Sequence, residues 1–534
     1  MCVKINCMVS DFLRKEIIEA FIRLRFDPSK LKFDISPGAR FGDFETNAAF
    51  CYADAGKKPL ETARALLGEL FESKSFSDYV DRGRTEVAGP GLINFFLSDR
   101  TLKGEVEDLE KNLIGGFDFI SGRKINIEFV SLNPTGELHV GHGRGAFYGD
   151  CLANIFSFSG AKVDREYLIN NSRESKQIME LGKTALGKGS QYKTPELESL
   201  MRDMDFSGLD ETEAGFKLAE KIQENNREFI VEKLGIRFDK WFSEETELRA
   251  SGKDRKMLET LKDKNLIYEK EGASWLKTSE YGDDEDRVVI RSDGSVGYIL
   301  PDIAYHAEKL NRGSDEVIDI WGADHQGHVK KIRAAGKMLG WPESKLIIFI
   351  AQMVSLKGNG VSAKMSKRSG NVILLHDLVD EFGLDTVRWF FSDKSLNTHM
   401  EFDMALAKEH SAKNPVFYVQ YAHARISSIL EKAKSAAPDG SEIADTFKEP
   451  AARTLAVKII EFPEIISSIT EDYQVHKLTT YAYELASSFA QFYEKVRIVS
   501  GISYNAGALT LATVAKETLA KSLNLLGISA PNKM

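Results

Sequence analysis

Cysteine is scarce in this 534-residue chain, limited to Cys2, Cys7, Cys51 and Cys151. Four scattered thiols do not make a disulfide framework; they suit a reducing compartment. Long apolar runs are missing too. No stretch approaches the roughly 18 residues that span a bilayer. The segment Met1 to Asp11 lacks an apolar core long enough for secretion. A cytoplasmic protein with no membrane partner is expected. Positive charge is in deficit: 71 Lys and Arg against 80 Asp and Glu leave a net −9 at pH 7. The surface as a whole therefore does not advertise nucleic acid, although a local basic stripe can serve a large acidic enzyme. The remaining composition, 43% hydrophobic and 28% charged, is that of a globular protein. Its length implies two to four domains.

The most informative stretch is Ser131–Asp150. Before it, Ile125-Asn-Ile-Glu-Phe-Val130 is a branched apolar run that predicts a buried strand. After it, Ala146–Phe158 shows helical spacing of apolar positions. Between them lie Pro134, Gly136, Gly141, Gly143 and Gly145, with His139 and His142 in the same turn. Strand, glycine-rich turn and helix start suit a phosphate site: small residues let the backbone approach, and free N–H groups attract anions. Two histidines three apart share one helix face. They could instead be zinc ligands, but no third and fourth ligand stands at metal-like spacing nearby. A glycine-rich turn before a helix also occurs without any ligand. The pattern alone leaves these readings open.

Residues 1–115 read as a small α/β unit. Helices are predicted at Leu13–Leu24 and Leu60–Phe71, with a turn between strands at Glu86–Phe96. From Ile125 strands and helices alternate, which predicts a parallel, doubly wound sheet. Strand candidates are Lys162–Ile169, Val288–Arg291, Gly297–Leu300, Val317–Trp321 and Lys345–Ile350. Residues 183–242 are polar and mostly helical, and read as an insertion. Ser362-Ala-Lys-Met-Ser-Lys-Arg-Ser-Gly-Asn371 is dense in cations, hydroxyls and glycine. It reads either as a solvated surface loop or as one that closes over a polyphosphate. Beyond Leu396 repeated helical spacing predicts an all-α bundle. Tyr418, Tyr421, His423 and Arg425 share one of its helices. Such a cluster can stack bases, although aromatics at helical spacing are more often core.

Two loops together carry a family likeness. His139-Val-Gly-His142 resembles the HIGH signature of class I aminoacyl-tRNA synthetases, and Lys364-Met-Ser-Lys-Arg368 is similar to their second signature, in the expected order. Glu128–Gly136, Trp321-Gly-Ala-Asp-His-Gln326, Asn414–Arg425 and the ending Leu525–Pro531 all resemble arginyl-tRNA synthetase of bacterial type. The first unit resembles that family's amino-terminal domain through Gly42-Asp43, Asn47 and Ala88–Asn94.

The resemblance implies an α/β chain in three parts. Residues 1–115 would meet the tRNA elbow. Residues 116–396 would form a Rossmann-type parallel-sheet catalytic domain, and 397–534 a helical anticodon-binding bundle. It implies that arginine and ATP give arginyl-adenylate and pyrophosphate, and that tRNA(Arg) then takes the arginyl group on its terminal adenosine. Adenylate formation in this family generally requires bound tRNA. By position, His139, Gly141, His142, Asp324, Met365, Ser366 and Lys367 would bind ATP, with His139, His142, Lys364 and Lys367 acting on its phosphates. Mg²⁺ would accompany those phosphates. Glu128, Asn133, Tyr298, Asp302, His325 and Gln326 would hold arginine. Asn47, Tyr418, Tyr421 and Arg425 would touch tRNA. A monomer is implied.

The residues support this independently. A guanidinium presents a rigid fork of donors and needs carboxylates placed to receive it. Glu128 is an acid within an apolar strand beside the nucleotide turn. Two departures stand out: Pro301, where the family often has a basic residue, and a second signature fuller than in many arginine enzymes. Another H-x-G-H nucleotidyltransferase, or a tRNA-binding scaffold without catalysis, are the alternatives.

Overall fold

The computed structural model describes residues 8–37, 41–56, 58–358 and 373–534. Cys2, Cys7 and the loop Ser362–Asn371 lie outside them. Among the described residues Cys51 and Cys151 form no disulfide. The chain forms two compact units, one continuous over Ile120–Glu409 and one joining the chain up to Phe119 with His410–Met534.

The continuous unit is built on a five-stranded sheet. Its strands are β1 (Lys124–Glu128), β2 (Lys162–Ile169), β3 (Lys240–Ser243), β4 (Glu316–Gly322) and β5 (Leu346–Ala351). They run in the order β5-β4-β1-β2-β3, every pair parallel. Helices α1 (Val140–Phe158), α2 (Ile299–Asn311) and α3 (Gln326–Leu339) belong to its crossovers. Strand order reverses between β1 and β4, and in such sheets ligands bind beyond the carboxyl ends at that point. Ile125, Ile127, Val317 and Ile318 are buried in the middle strands, and so are the polar Asn126, Glu128 and Asp319 among them, as expected where both faces of a parallel sheet are covered.

Four departures from the sequence expectations have physical reasons. Helix α1 starts at Val140, not Ala146, so Gly141, Gly143 and Gly145 lie inside it. Gly143 is spaced for close packing, since a Cβ there would stand 2.8 Å from Leu375. Gly297–Leu300 is not a strand: Ile299 opens α2, with Pro301 in the first turn, where a missing N–H is harmless. The insertion does not run to 242, because Lys240–Ser243 is the edge strand β3, polar enough to pass for a surface segment. Past Leu396, Met400–Asp403 is a strand pairing in parallel with Val354–Lys357.

The helix Lys176–Ala185, most of which precedes the insertion, packs on Glu211–Glu228 within it through the facing glycines Gly182 and Gly215. A Cβ on Gly182 would stand 1.6 Å from the Glu211 carbonyl oxygen. Gly182→Ala is expected to force these helices apart at a cost of about 3 kcal/mol. Hydrogen exchange checks this: protection should fall across residues 176–228 while β1 and β4 keep theirs.

The second unit pairs a small antiparallel sheet, in the order Ile35–Pro37, Phe44–Thr46, Leu92–Phe95, Glu86–Ala88, with helices from both chain ends. The C-terminal helices Pro415–Ala433, Pro450–Ile460, Phe462–Asp472, His476–Lys495 and Ala506–Leu525 form its bundle. Buried Arg453 fastens the ends together, donating to Asp99 and to the Leu97 carbonyl at 2.7 Å each and pairing with Asp43. Ser10 adds its N–H and hydroxyl to Glu464 at 3.0 and 2.5 Å.

Candidate active site

The site is assembled at the switch point. Just past β1 the backbone of Val130 and Ser131 enters the left-handed region, at φ 73° and 38°. Such φ values are strained for side-chain-bearing residues, a branched one above all. Neighbours hold the turn in place. Leu168 N–H donates to Ser131 Oγ at 3.0 Å, Leu132 N–H donates to Tyr167 Oη at 3.1 Å, and Gln223 Nε2 donates to the Leu132 carbonyl at 3.0 Å. Asn133 follows, partly buried.

The chain then reaches His139, the N-cap of α1. Gly141 N–H donates to His139 Nδ1 and His139 N–H donates to His142 Nδ1, each at 3.1 Å. The pair is a capping box made of imidazoles. A Cβ on Gly141 would stand 2.9 Å from the His139 ring, so glycine is what lets that ring fold back. The two rings lie 3.7 Å apart. A nitrogen that accepts a backbone N–H carries no proton, which puts the proton of each neutral ring on Nε2. Burial lowers both pKa values, and His142 falls to about 3 with help from neighbouring His139. Both rings are therefore neutral donors at pH 7.

Beyond β4 the chain presents Asp324, His325 and Gln326, all exposed. Asp324 acts on His139, raising its pKa against the pull of burial, and lies 3.5 Å from His325 Nε2. From α2, the Asp302 carboxylate meets His328 Nε2 at 2.5 Å. Tyr298, at the start of α2, is 59% exposed, with the Arg291 guanidinium 5.1 Å from its ring centre. Glu128, at the end of β1, is buried. Its Oε2 accepts from Lys309 Nζ at 2.6 Å and from Tyr305 Oη at 2.9 Å. The expectation that this acid is out of place in an apolar strand is answered by a buried cation that periodicity did not reveal.

Sequence reasoning missed several groups here. Lys309, Tyr305 and His306 line the α2 face turned to the sheet, and Asp319 faces them from β4. Glu244 also lies near Asp302: burial pushes its carboxyl up to about 7 against the pull of Arg249, with Asp302 adding to the rise. For those on β4 and α2 the trace in the sequence is a polar residue where the element should be apolar; Glu244, just after β3, leaves none. Lys364, Met365, Ser366 and Lys367 lie outside the described residues.

In the other unit, the helix Pro415–Ala433 exposes Tyr421 and Arg425, and Arg425 Nη1 donates to Tyr421 Oη at 2.7 Å. The same guanidinium lies 4.7 Å from the Tyr493 ring centre. Tyr418 packs against Tyr483, and His423 is buried against the Pro531 carbonyl. Of this cluster Tyr421 and Arg425 are exposed, Tyr418 is half-buried and His423 is buried. Asn47 is occupied locally, accepting from Asp34 N–H at 2.9 Å.

Comparison with known proteins covers nearly the whole chain. Residues 11–97 match the family described as arginyl tRNA synthetase N terminal domain, 188–427 the tRNA synthetases class I (R) catalytic domain, and 419–534 the DALR anticodon binding domain. An arginine–tRNA ligase of Listeria monocytogenes is 38% identical, with 98% of each chain covered. One from Bacillus pumilus is 38% identical over 98% of this chain and 99% of its own. The solved arginyl-tRNA synthetase of Thermus thermophilus aligns at TM-score 0.71 and 22% identity over 99% of this chain and 100% of its own, a likeness of fold.

Proposed function

The chain belongs to the arginyl-tRNA synthetase family, and on that premise we propose how its residues divide the work. The activity is arginine–tRNA ligation, with ATP, arginine and tRNA as substrates. Arginine's carboxylate attacks the α-phosphate of ATP, pyrophosphate leaves, and the terminal adenosine of tRNA(Arg) takes the arginyl group. One observation carries the division of labour. The Nε2 donors of His139 and His142 and the carboxylates of Glu128 and Asp302 belong to the strand ends and helix starts of one switch point.

Neutral Nε2–H groups hydrogen-bond phosphate oxygens without a proton having to move first. The start of α1 adds free N–H groups and a favourable dipole. Mg²⁺ would ride with the ATP phosphates, whose oxygens are its ordinary ligands. Asp324, whose charge acts on His139, would accept from the nucleotide. Lys364 and Lys367, with Met365 and Ser366, would close on the departing pyrophosphate. For arginine, Asp302 supplies the opposing charge and Glu128 an acceptor. Asn133, Tyr298, His325 and Gln326 would hold the rest of the substrate. A site that must pair a guanidinium leaves acceptors unmet when lysine enters, so it discriminates by about 10⁴–10⁵ without editing.

Exposed Tyr421 and Arg425, with Tyr418 behind them, suit stacking on single-stranded bases. They and Asn47 are the proposed tRNA contacts, in an anticodon-binding bundle and an elbow-binding front domain respectively. Action as a monomer in the cytoplasm completes the reading; among the described residues no helix is long and apolar enough to cross a membrane.

Aminoacylation assayed across the amino acids with cognate tRNA tests the assignment, and charging with lysine or cysteine instead of arginine would defeat it. Within the pocket, Glu128→Gln is expected to raise the KM for arginine roughly 10–100-fold, the scale of a lost hydrogen bond to a charged group. The KM for ATP should stay within about twofold, as ATP binding does not draw on that carboxylate. Pyrophosphate exchange in the presence of tRNA measures both.

A further inference from the structure

Strand register sets three acids side by side. Glu166 of β2 is the cross-strand partner of Glu128 of β1, and Glu128 is the partner of Asp319 of β4. Adjacent strands lie about 5 Å apart, and all three side chains are buried. Carboxylates so placed keep their charge only where cations lie against them.

Helix α2 supplies those cations. Residues 302, 305, 306 and 309 recur at the spacing of one helix face, and Arg312 follows the helix end. Lys309, with no exposed surface, reaches Glu128 Oε2 at 2.6 Å and also pairs with Asp319. Arg312 meets Glu166 at 2.6 Å. His306 lies 2.9 Å from Asp319 Oδ2 through Nε2 and 2.6 Å from the Asp302 carbonyl through Nδ1. Both of those partners are acceptors, so the ring holds a proton on each nitrogen. Burial opposes that charge, and Asp319 overrides it, raising the His306 pKa. Three acids thus face three cations. Tyr305 spans the row, its hydroxyl 2.9 Å from both Glu128 Oε2 and Glu166 Oε1.

One detail gives this row a use beyond stability. Both donors to Glu128 converge on Oε2, and Oε1 accepts no hydrogen bond from the described residues. We propose that Lys309 and Tyr305 are positioning residues: by gripping Glu128 Oε2 from inside the fold they hold Oε1 ready for the substrate guanidinium. This rests on the reading of Glu128 as a pocket residue given above. It splits the recognition task. Asp302, a third exposed, contributes net negative charge. Glu128, neutralised from behind, contributes a lone pair at a fixed place and direction. A fixed acceptor discriminates a rigid fork from a flexible ammonium better than a mobile charge does.

The test compares Tyr305→Phe, Lys309→Met and Glu128→Gln in the full chain. Arginine and ATP KM values and kcat come from pyrophosphate exchange with tRNA, alongside the thermal midpoint. Tyr305→Phe removes one hydroxyl and is expected to raise the arginine KM about 3–10-fold. Its kcat and ATP KM should stay within about twofold. Lys309→Met is expected to raise the arginine KM further, roughly 10–100-fold. Should that variant fail to fold, Tyr305→Phe decides alone. The proposal falls if Tyr305→Phe lowers only the midpoint and leaves the arginine KM unchanged while Glu128→Gln raises it, because the row would then be purely structural. If Glu128→Gln itself leaves the arginine KM unchanged, the pocket reading falls and this proposal with it.

Discussion

Replacing Asp302 by asparagine should raise the arginine concentration needed for half-maximal aminoacylation by on the order of 10²–10³, the penalty for a guanidinium left without its charged partner. The substitution keeps size and shape, and Asp302 is in the first turn of α2, partly open to solvent. The fold should therefore tolerate it. The carboxylate is steered by His328 at 2.5 Å, so the loss reflects a placed group and not a diffuse negative field. Selection should suffer with affinity: lysine, rejected because its ammonium cannot serve the fork, should gain relative to arginine. Steady-state kinetics with both amino acids measure this. An arginine KM within threefold of the parent would remove Asp302 from the pocket.

Replacing His142 by alanine is expected to slow adenylate formation by about 10²–10³ with little change in the arginine KM, since the lost donor is the one proposed to serve the phosphates as charge develops. The same change removes the acceptor for His139 N–H and costs about 1 kcal/mol of helix capping. His142→Gln separates the two effects, because glutamine at that position can restore the cap while lacking the imidazole donor. Rate and stability should then part company: recovered melting, unrecovered rate. Both imidazole pKa values are depressed in the fold. Their contribution to stability is full above the unfolded value near 6.5 and is lost as pH falls below it, for His142 down toward 3. An unfolding series through that window, parent against His142→Gln, would show it.

The parallel strands were the most legible part of the fold. Ile125–Val130, Val317–Trp321 and Lys345–Ile350 are branched apolar runs, and each corresponds within a residue or two to a strand of the sheet, the first two central and the third at its edge. Their period needs no tertiary context. Context decided the misreadings. Tyr298-Ile-Leu300 has strand-like side chains but opens a helix, because the polar face built from Asp302, Tyr305, His306 and Lys309 must turn toward the sheet. The glycines of α1 suggested a turn, yet the helix tolerates them where the imidazole cap and close neighbours hold it. For the proposed site, motif likeness is what supplies the histidines and the carboxylates. It could not find Lys309, whose importance depends on the register that aligns Glu128 with Asp319. Register is a property of paired strands, and no single strand carries it.

The two-ended unit also bears on the order of biosynthesis. Residues Ile120–Glu409 are contiguous, so their sheet can close while the ribosome is still working. The front segment cannot be completed then, because Arg453, the clasp for Asp43, Asp99 and Leu97, is translated late. At about 5–20 residues per second the tail from His410 onward takes on the order of ten seconds to emerge. Through that interval the segment preceding Ile120 waits with its docking face uncovered, a window in which chaperones or misassembly can intervene.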